Sequence, residues 1–178
     1  MSFFIQTPRL ELKRLHLSDA ENMYAYASNP EVSRYLTWKR HETPEDSMAV
    51  IPVLLDAIEQ GKNDGFAIHL KGLGMIGTIG MIWKAENRGE IGYVLHDAHW
   101  GRGIVTEAGK AFISYLFERY DNLETIEARC FAGHEASAGV MKKLGMQFQG
   151  FLPDEVFVNI DPEKKWPVWH YTLSRKST

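Results

Sequence analysis

The sequence predicts an α+β fold built on one mixed sheet, and three observations carry that expectation. Strand-like and helical stretches follow one another without strict alternation. Three successive strand-like segments between Gly65 and Asp97 are separated by turns short enough for antiparallel hairpins. Amphipathic stretches of helical period lie before and after them. The 178 residues suit one domain, 1–178, and a hydrophobic content of 44% suffices for a sizeable core.

Leu10, Leu12 and Leu15, following Pro8, read as a first strand near 9–15. Ser18-Asp19-Ala20-Glu21 has a capping-box pattern, so a helix is expected near 19–27 with Ser18 as its cap. Pro30 to Leu36 is a candidate short helix. Thr43-Pro44-Glu45 opens a helix running to about Gln60, with Gly61 as its stop and Pro52 as an internal irregularity. Phe66–Leu70, Met75–Trp83 and Glu90–Leu95 form the meander. Ile104, Ala108, Ala111, Phe112, Tyr115 and Leu116 recur at helical spacing over 103–118. Leu123–Phe131 reads as a strand, 135–144 as a helix stopped by Gly145, and Met146–Phe151 and Pro167–Leu173 as the last strands.

Composition narrows the function classes. Twenty basic against 23 acidic residues give a net charge of −3, so the broad basic footprint of a nucleic-acid-binding protein is absent and no such partner is expected. The single cysteine, Cys130, allows no intrachain disulfide and fits a reducing compartment, with Cys130 read as a small buried strand residue. Met1–Leu10 lacks the pattern of a signal peptide, and the apolar run Met48–Leu55 is short and broken by Pro52, so a cytoplasmic, membrane-free protein is expected.

Two glycine clusters compete as ligand loops. Gly72-Leu73-Gly74-Met75-Ile76-Gly77 matches the dinucleotide fingerprint in letters, but a strand-like run follows it where the mechanism requires a helix. It reads as a turn with strand glycines. Trp100-Gly101-Arg102-Gly103-Ile104-Val105-Thr106 instead joins a strand to an amphipathic helix. There glycines allow close backbone approach, and the free N–H groups and dipole of the helix start favour an anion such as phosphate.

Four stretches together resemble the GNAT superfamily of N-acetyltransferases, in its ribosomal-protein-alanine-acetyltransferase-like branch. They are Thr7-Pro8-Arg9-Leu10-Glu11-Leu12, Glu90-Ile91-Gly92-Tyr93-Val94-Leu95, Trp100-Gly101-Arg102-Gly103 through Thr106-Glu107-Ala108, and His134-Glu135-Ala136-Ser137 followed by Val140–Met146. The resemblance spans residues 7 to about 150. It implies a mostly antiparallel sheet of about seven strands flanked by helices, with splayed fourth and fifth strands. It also implies acetyl-CoA as cosubstrate, no metal, and direct acetyl transfer to a primary amine. The acceptor would be a protein N-terminus, a polyamine, an amino acid or an aminoglycoside-like compound, and the protein a monomer or homodimer. Val105 stands where the family commonly has alanine or glycine, and His134 where it usually has asparagine.

The resemblance assigns cofactor contact to Tyr93, Val94, Leu95, Gly101, Arg102, Gly103, Ile104, Val105, Thr106, His134 and Ser137. Amine attack requires a base, which makes Glu90 and His134 candidates, the latter because an ordinary histidine titrates near neutrality. Ser137 is the candidate proton donor or contact at the sulfur, with Tyr171 a weaker one. Tyr35 and Trp38 are candidate lining of the acceptor pocket. His96-Asp97-Ala98-His99 lacks a third clear ligand and reads as a loop, so no metal site is expected. Two other readings stay open: an acyl-CoA sensor without catalysis, and a protein-interaction module that retains the fold.

Overall fold

The computed structural model describes residues 4–158 and 161–175. In chain order the elements are β1 (Phe4–Gln6), β2 (Leu10–Lys13), α1 (Ala20–Ala27), α2 (Pro30–Ser33), α3 (Pro44–Glu59), β3 (Asn63–Leu70), β4 (Gly74–Ala85) and β5 (Arg88–Leu95). There follow α4 (Ile104–Arg119), β6 (Thr125–Phe131), α5 (Glu135–Lys143), β7 (Gln147–Val158) and β8 (Asp161–Ser174). Short 3-10 turns lie at Leu17–Asp19 and Asp97–His99. The strands form one sheet in the order β1-β2-β3-β4-β5-β6-β8-β7. Every neighbouring pair is antiparallel except β5 with β6, which is parallel.

The sheet separates two apolar layers. Phe66 and Ile68 of β3 pack with α4 and α5, while Ala67 between them packs with α1, α2 and α3. Strand alternation thus sends side chains to both faces. Ile104, Ala108, Phe112 and Leu116, one helical turn apart, are all buried along one stripe of α4. Phe112 is completely buried and meets the edge of Phe66 at a centroid distance of 5.9 Å.

Several expectations shift. The sheet has eight strands rather than about seven, because Phe4–Gln6 forms a separate edge strand before the expected first one. The pair that splays is therefore the fifth and sixth. The capping box near α1 exists but opens the preceding 3-10 turn: His16, not Ser18, accepts from the Ser18 N–H at 3.2 Å, and Asp19 accepts from the His16 N–H at 2.9 Å. Helix α3 opens where the sequence places it, after Thr43, and a capping box that the sequence reading did not identify closes its start, with Asp46 accepting from the Thr43 N–H at 3.0 Å. The last two strands are much longer than expected, because irregularities such as those between Phe148 and Gly150 and between Leu152 and Val156 interrupt the alternation by which a strand is read. Gly74 starts β4, so a strand follows the Gly72–Gly77 cluster as expected.

Because Phe112 has no exposed surface, Phe112→Ala is expected to cost about 3–5 kcal/mol of stability, measured by urea unfolding. A loss under about 1 kcal/mol would mean that the layer beneath α4 collapses into the void.

Candidate active site

The site begins where β5 and β6 part. Their parallel ladder joins Arg88 with Thr125, Gly89 with Ile126 and Glu90 with Glu127. Beyond those rungs each strand keeps only its outer neighbour: β5 stays on β4 as far as Leu95 opposite Gly77, and β6 stays on β8 as far as Phe131 opposite Val168. The His96 N–H donates to the Ile76 carbonyl on β4 at 2.8 Å. Alternation then turns the main-chain groups of Val94 and Gly92 towards β4, and those of Ile91, Tyr93 and Leu95 towards the gap. The Leu95 carbonyl is taken by the Trp100 indole N–H at 2.8 Å, which ties the following turn to the strand end.

That turn leads into α4. Gly101 and Gly103 both have φ of +71°, and Gly103 is the N-cap of α4 in the left-handed conformation. A side chain at either position would strain this backbone. Ile104, Val105 and Thr106 follow as the first turn, whose N–H groups have no intrahelical acceptor. Val105 packs against the core, so its branched side chain does not crowd the turn. Arg102 is exposed.

Tyr93 reaches across the gap. Its side chain packs with the layer holding α4 and α5, and its hydroxyl lies 3.0 Å from Ser137 Oγ and 3.1 Å from the Ser137 carbonyl. Burial raises the Tyr93 phenol well above its usual range, so it is a protonated donor. Cys130 is buried on β6. Burial, opposed by hydrogen bonding to Ser137, pushes its thiol up to about 11, so it is no activated thiolate. His134 is half-buried just before α5, and burial lowers its pKa, leaving it neutral at pH 7. Its ring lies 4.6 Å from that of Tyr35, which stacks on Phe131 at 5.0 Å, and Trp166 meets Phe131 edge-on at 5.2 Å.

The structure thus brings Tyr93, His134, Ser137 and Tyr35 to the region of the gap. Trp38 packs with the α1–α3 layer, which also includes Val94 of β5, and its ring lies 5.3 Å from His41. Tyr171 is buried in β8 against Phe148. Glu90 needs a correction as a base candidate. Its carboxylate accepts from Arg129 Nη2 at 2.8 Å and Arg129 Nε at 3.1 Å, and lies 3.1 Å from Lys84 Nζ. Burial raises its carboxyl, but Arg129 and then Lys84 outweigh burial and hold it below the usual range. A carboxylate so paired is a weak proton acceptor. By alternation it also lies on the opposite face of β5 from Tyr93.

Sequence reasoning missed the ring partners Phe131 and Trp166, the partner Arg129, and a network joining Thr7 and Arg9 to Glu107 at the start of α4. Thr7, Arg9 and Glu107 lay within recognised motifs, yet nothing local signals that they meet. Among the described residues, no group of three or more His, Cys, Asp and Glu is placed to hold a metal. No helix among them is long and apolar enough to cross a membrane.

A strand pair forced apart beside a glycine-capped helix start agrees with what comparison with known proteins finds. A family model described as an acetyltransferase (GNAT) domain matches residues 9–147, and the chain belongs to that family of N-acetyltransferases. It is 33% identical over 153 residues to the uncharacterized N-acetyltransferase p20 of Bacillus licheniformis, covering 84% of this chain and 85% of the relative. The crystal structure of a GNAT-family acetyltransferase from Bacillus anthracis superposes with a TM-score of 0.83 at 26% identity, over 96% of this chain and 98% of that one. RimL, a ribosomal L7/L12 alpha-N-protein acetyltransferase solved with coenzyme A, shares the fold with a TM-score of 0.85 at 17% identity, over 96% and 97% of the two chains.

The Glu90 pairing predicts a pH signature. A carboxyl whose folded pKa is depressed contributes stability above its unfolded value, about 4.3, and loses it as pH falls through the folded value. Glu90→Gln is expected to destabilise the protein by about 1–3 kcal/mol at pH 7. The deficit should shrink below about pH 4. An equal deficit at pH 3.5 and pH 7, read by denaturant titration, would contradict the pairing.

Proposed function

We propose that this chain is an acetyl-CoA-dependent enzyme moving an acetyl group directly to a primary amine, either a protein N-terminus or a small molecule. The observation that carries the reading is the gap between β5 and β6, crossed by the Tyr93–Ser137 contact and followed in the chain by the glycine turn at α4. The residues fit a pantetheine diphosphate. The main-chain groups of Tyr93 are turned to pair with an amide-bearing arm, and the N–H groups of Gly103 to Thr106 suit a diphosphate. RimL, which has this fold, is solved in complex with coenzyme A.

The bound thioester supplies the activated acyl group, and the chain's residues manage the protons. His134, half-buried and so held neutral at pH 7, accepts the proton that the attacking amine must shed. The Tyr93 hydroxyl and Ser137 Oγ, 3.0 Å apart, form a donor pair for the departing sulfur. A main-chain N–H of β5 facing the gap stabilises the negative charge that develops on the acyl oxygen. Tyr35, its ring tilted against that of His134, lines the acceptor side, while Glu90 stays ionised in its pair with Arg129.

Calorimetric titration with acetyl-CoA, followed by a thiol-release assay over a panel of amines, tests the proposal. Saturable binding and release with at least one amine are expected. Absence of binding at millimolar acetyl-CoA would overturn the reading, and tight binding without release from any amine would favour the sensor instead. In an active pairing, Tyr93→Phe should lower kcat on the order of 10²-fold with little change in KM. The profile of kcat/KM should rise through an ionisation below pH 6.5 and level off above it. His134→Ala should remove that ionisation, and its persistence would assign the base to another group.

A further inference from the structure

We propose that Arg9 is a positioning residue for the phosphate-binding turn: it holds the Arg102–Gly103 peptide so that the Gly103 N–H faces the anion, and it neutralises Glu107, which sits in the first turn of the same helix. This rests on the reading of residues 101–106 as the cradle of a diphosphate ester.

Arg9 belongs to the link between β1 and β2, far in sequence from the turn. Its Nη1 donates to the Arg102 carbonyl at 2.9 Å, and its Nε donates to Glu107 Oε2 at 2.6 Å. The other carboxylate oxygen accepts from the Arg9 N–H at 3.0 Å and from the Thr7 hydroxyl at 2.6 Å. The link is held from a second side by Lys71, whose ammonium donates to the Thr7 carbonyl at 2.6 Å and whose N–H donates to the Arg9 carbonyl at 3.1 Å. The guanidinium lies close beneath the turn: a Cβ built on Gly103 would sit 3.7 Å from Nη2.

Two physical consequences follow. A trans peptide points its C=O and N–H in opposite directions. Anchoring the Arg102 carbonyl on Arg9 therefore turns the Gly103 N–H away from Arg9, to the side left for a ligand. Gly101 and Gly103, both at positive φ, flank this region and resist reorientation of the peptide less than any other residue would. An external hold on the carbonyl supplies the rigidity that the glycines lack. The second consequence is electrostatic. An acidic residue in the first helical turn complements the helix dipole, but it also repels the phosphates that the same turn would bind. The side chain of Glu107 is 17% exposed and ionised: burial raises its carboxyl, and the Thr7 hydroxyl, the Arg9 N–H and the Arg9 guanidinium together outweigh burial. Arg9 occupies both carboxylate oxygens and cancels the charge, so the helix start keeps its attraction for an anion.

The test uses the full chain with Arg9→Ala, Arg9→Lys, Glu107→Gln and the Arg9→Ala/Glu107→Gln double variant. The dissociation constant for coenzyme A is read by calorimetry, and kcat/KM is compared between acetyl-CoA and acetyl-pantetheine, which lacks the diphosphate. Arg9→Ala is expected to weaken coenzyme A binding about tenfold, the loss of one charge-assisted hydrogen bond. Use of acetyl-pantetheine should stay within about twofold, well inside what one such bond is worth. Adding Glu107→Gln to Arg9→Ala should restore part of the affinity, and Arg9→Lys should fall between wild type and Arg9→Ala. An equal loss with both donors, accompanied by a lowered Tm, would reduce Arg9 to a fastener of the N-terminal segment and overturn the proposal. Unchanged coenzyme A affinity in Arg9→Ala would overturn it as well. Should Arg9→Ala fail to fold, Arg9→Lys carries the same comparison. Wild-type protein that binds no coenzyme A defeats the proposed function itself, before any variant is compared.

Discussion

The structure depends on an incomplete strand pairing. A parallel pair of seven or eight residues would normally run its full length, but β5 and β6 share only the rungs from Arg88 to Glu90. Beyond them the sheet is continuous on either side and open in the middle. Main-chain polar groups left without a partner in a protein interior are costly. A fold that leaves them so must offer them to water or to a ligand that can pair with them. Everything else at the site follows from that opening. Tyr93 can reach α5 because β6 is no longer beside it, and the chain leaves β5 through a turn tied back by Trp100.

Charge sits at the point of divergence. Arg129, two residues beyond the last rung on β6, pairs with Glu90, Lys84 joins Glu90 from β4, and Arg88 reaches Glu127 at 3.3 Å. Exposed ion pairs contribute little each, but these carboxylates are largely shielded, and removing one partner would leave a shielded charge uncompensated. The network therefore fastens the two strands where their hydrogen-bonded ladder ends. It also accounts for a carboxylate that looked like a base. Glutamate at the start of a strand beside a cleft suits proton transfer by position, yet its neighbours make it a structural anion.

Much of the fold was legible because it rests on local signals. The apolar stripe Ile104, Ala108, Phe112 and Leu116 announces α4, the glycines before it announce the turn, and Thr43-Pro44-Glu45 announces α3. The strand Phe4–Gln6 was not legible, since three residues hold no measurable alternation. The long β7–β8 hairpin escaped because its irregularities shift the register by which alternation is counted. At the site, Gly101, Gly103 and the strand Tyr93–Leu95 could be placed from pattern and resemblance. The partners could not. Whether Glu90 meets Arg129, or Tyr35 meets His134, is decided by which strands and helices lie side by side, and no spacing along one segment encodes it.

The contact between the Arg9 N–H and Glu107 closes a separation of 98 residues. Helix α4 can nucleate from its own sequence, but the conformation of the turn before it is completed by a segment made near the start of the chain. Contacts of such long range carry the loop-closure cost of everything between them and slow the folding of chains that depend on them. The helix and the turn before it thus draw on contacts of very different range in the chain. Helical content alone therefore does not report the geometry of this turn, which is complete only when the Thr7–Arg9 segment has docked on Glu107.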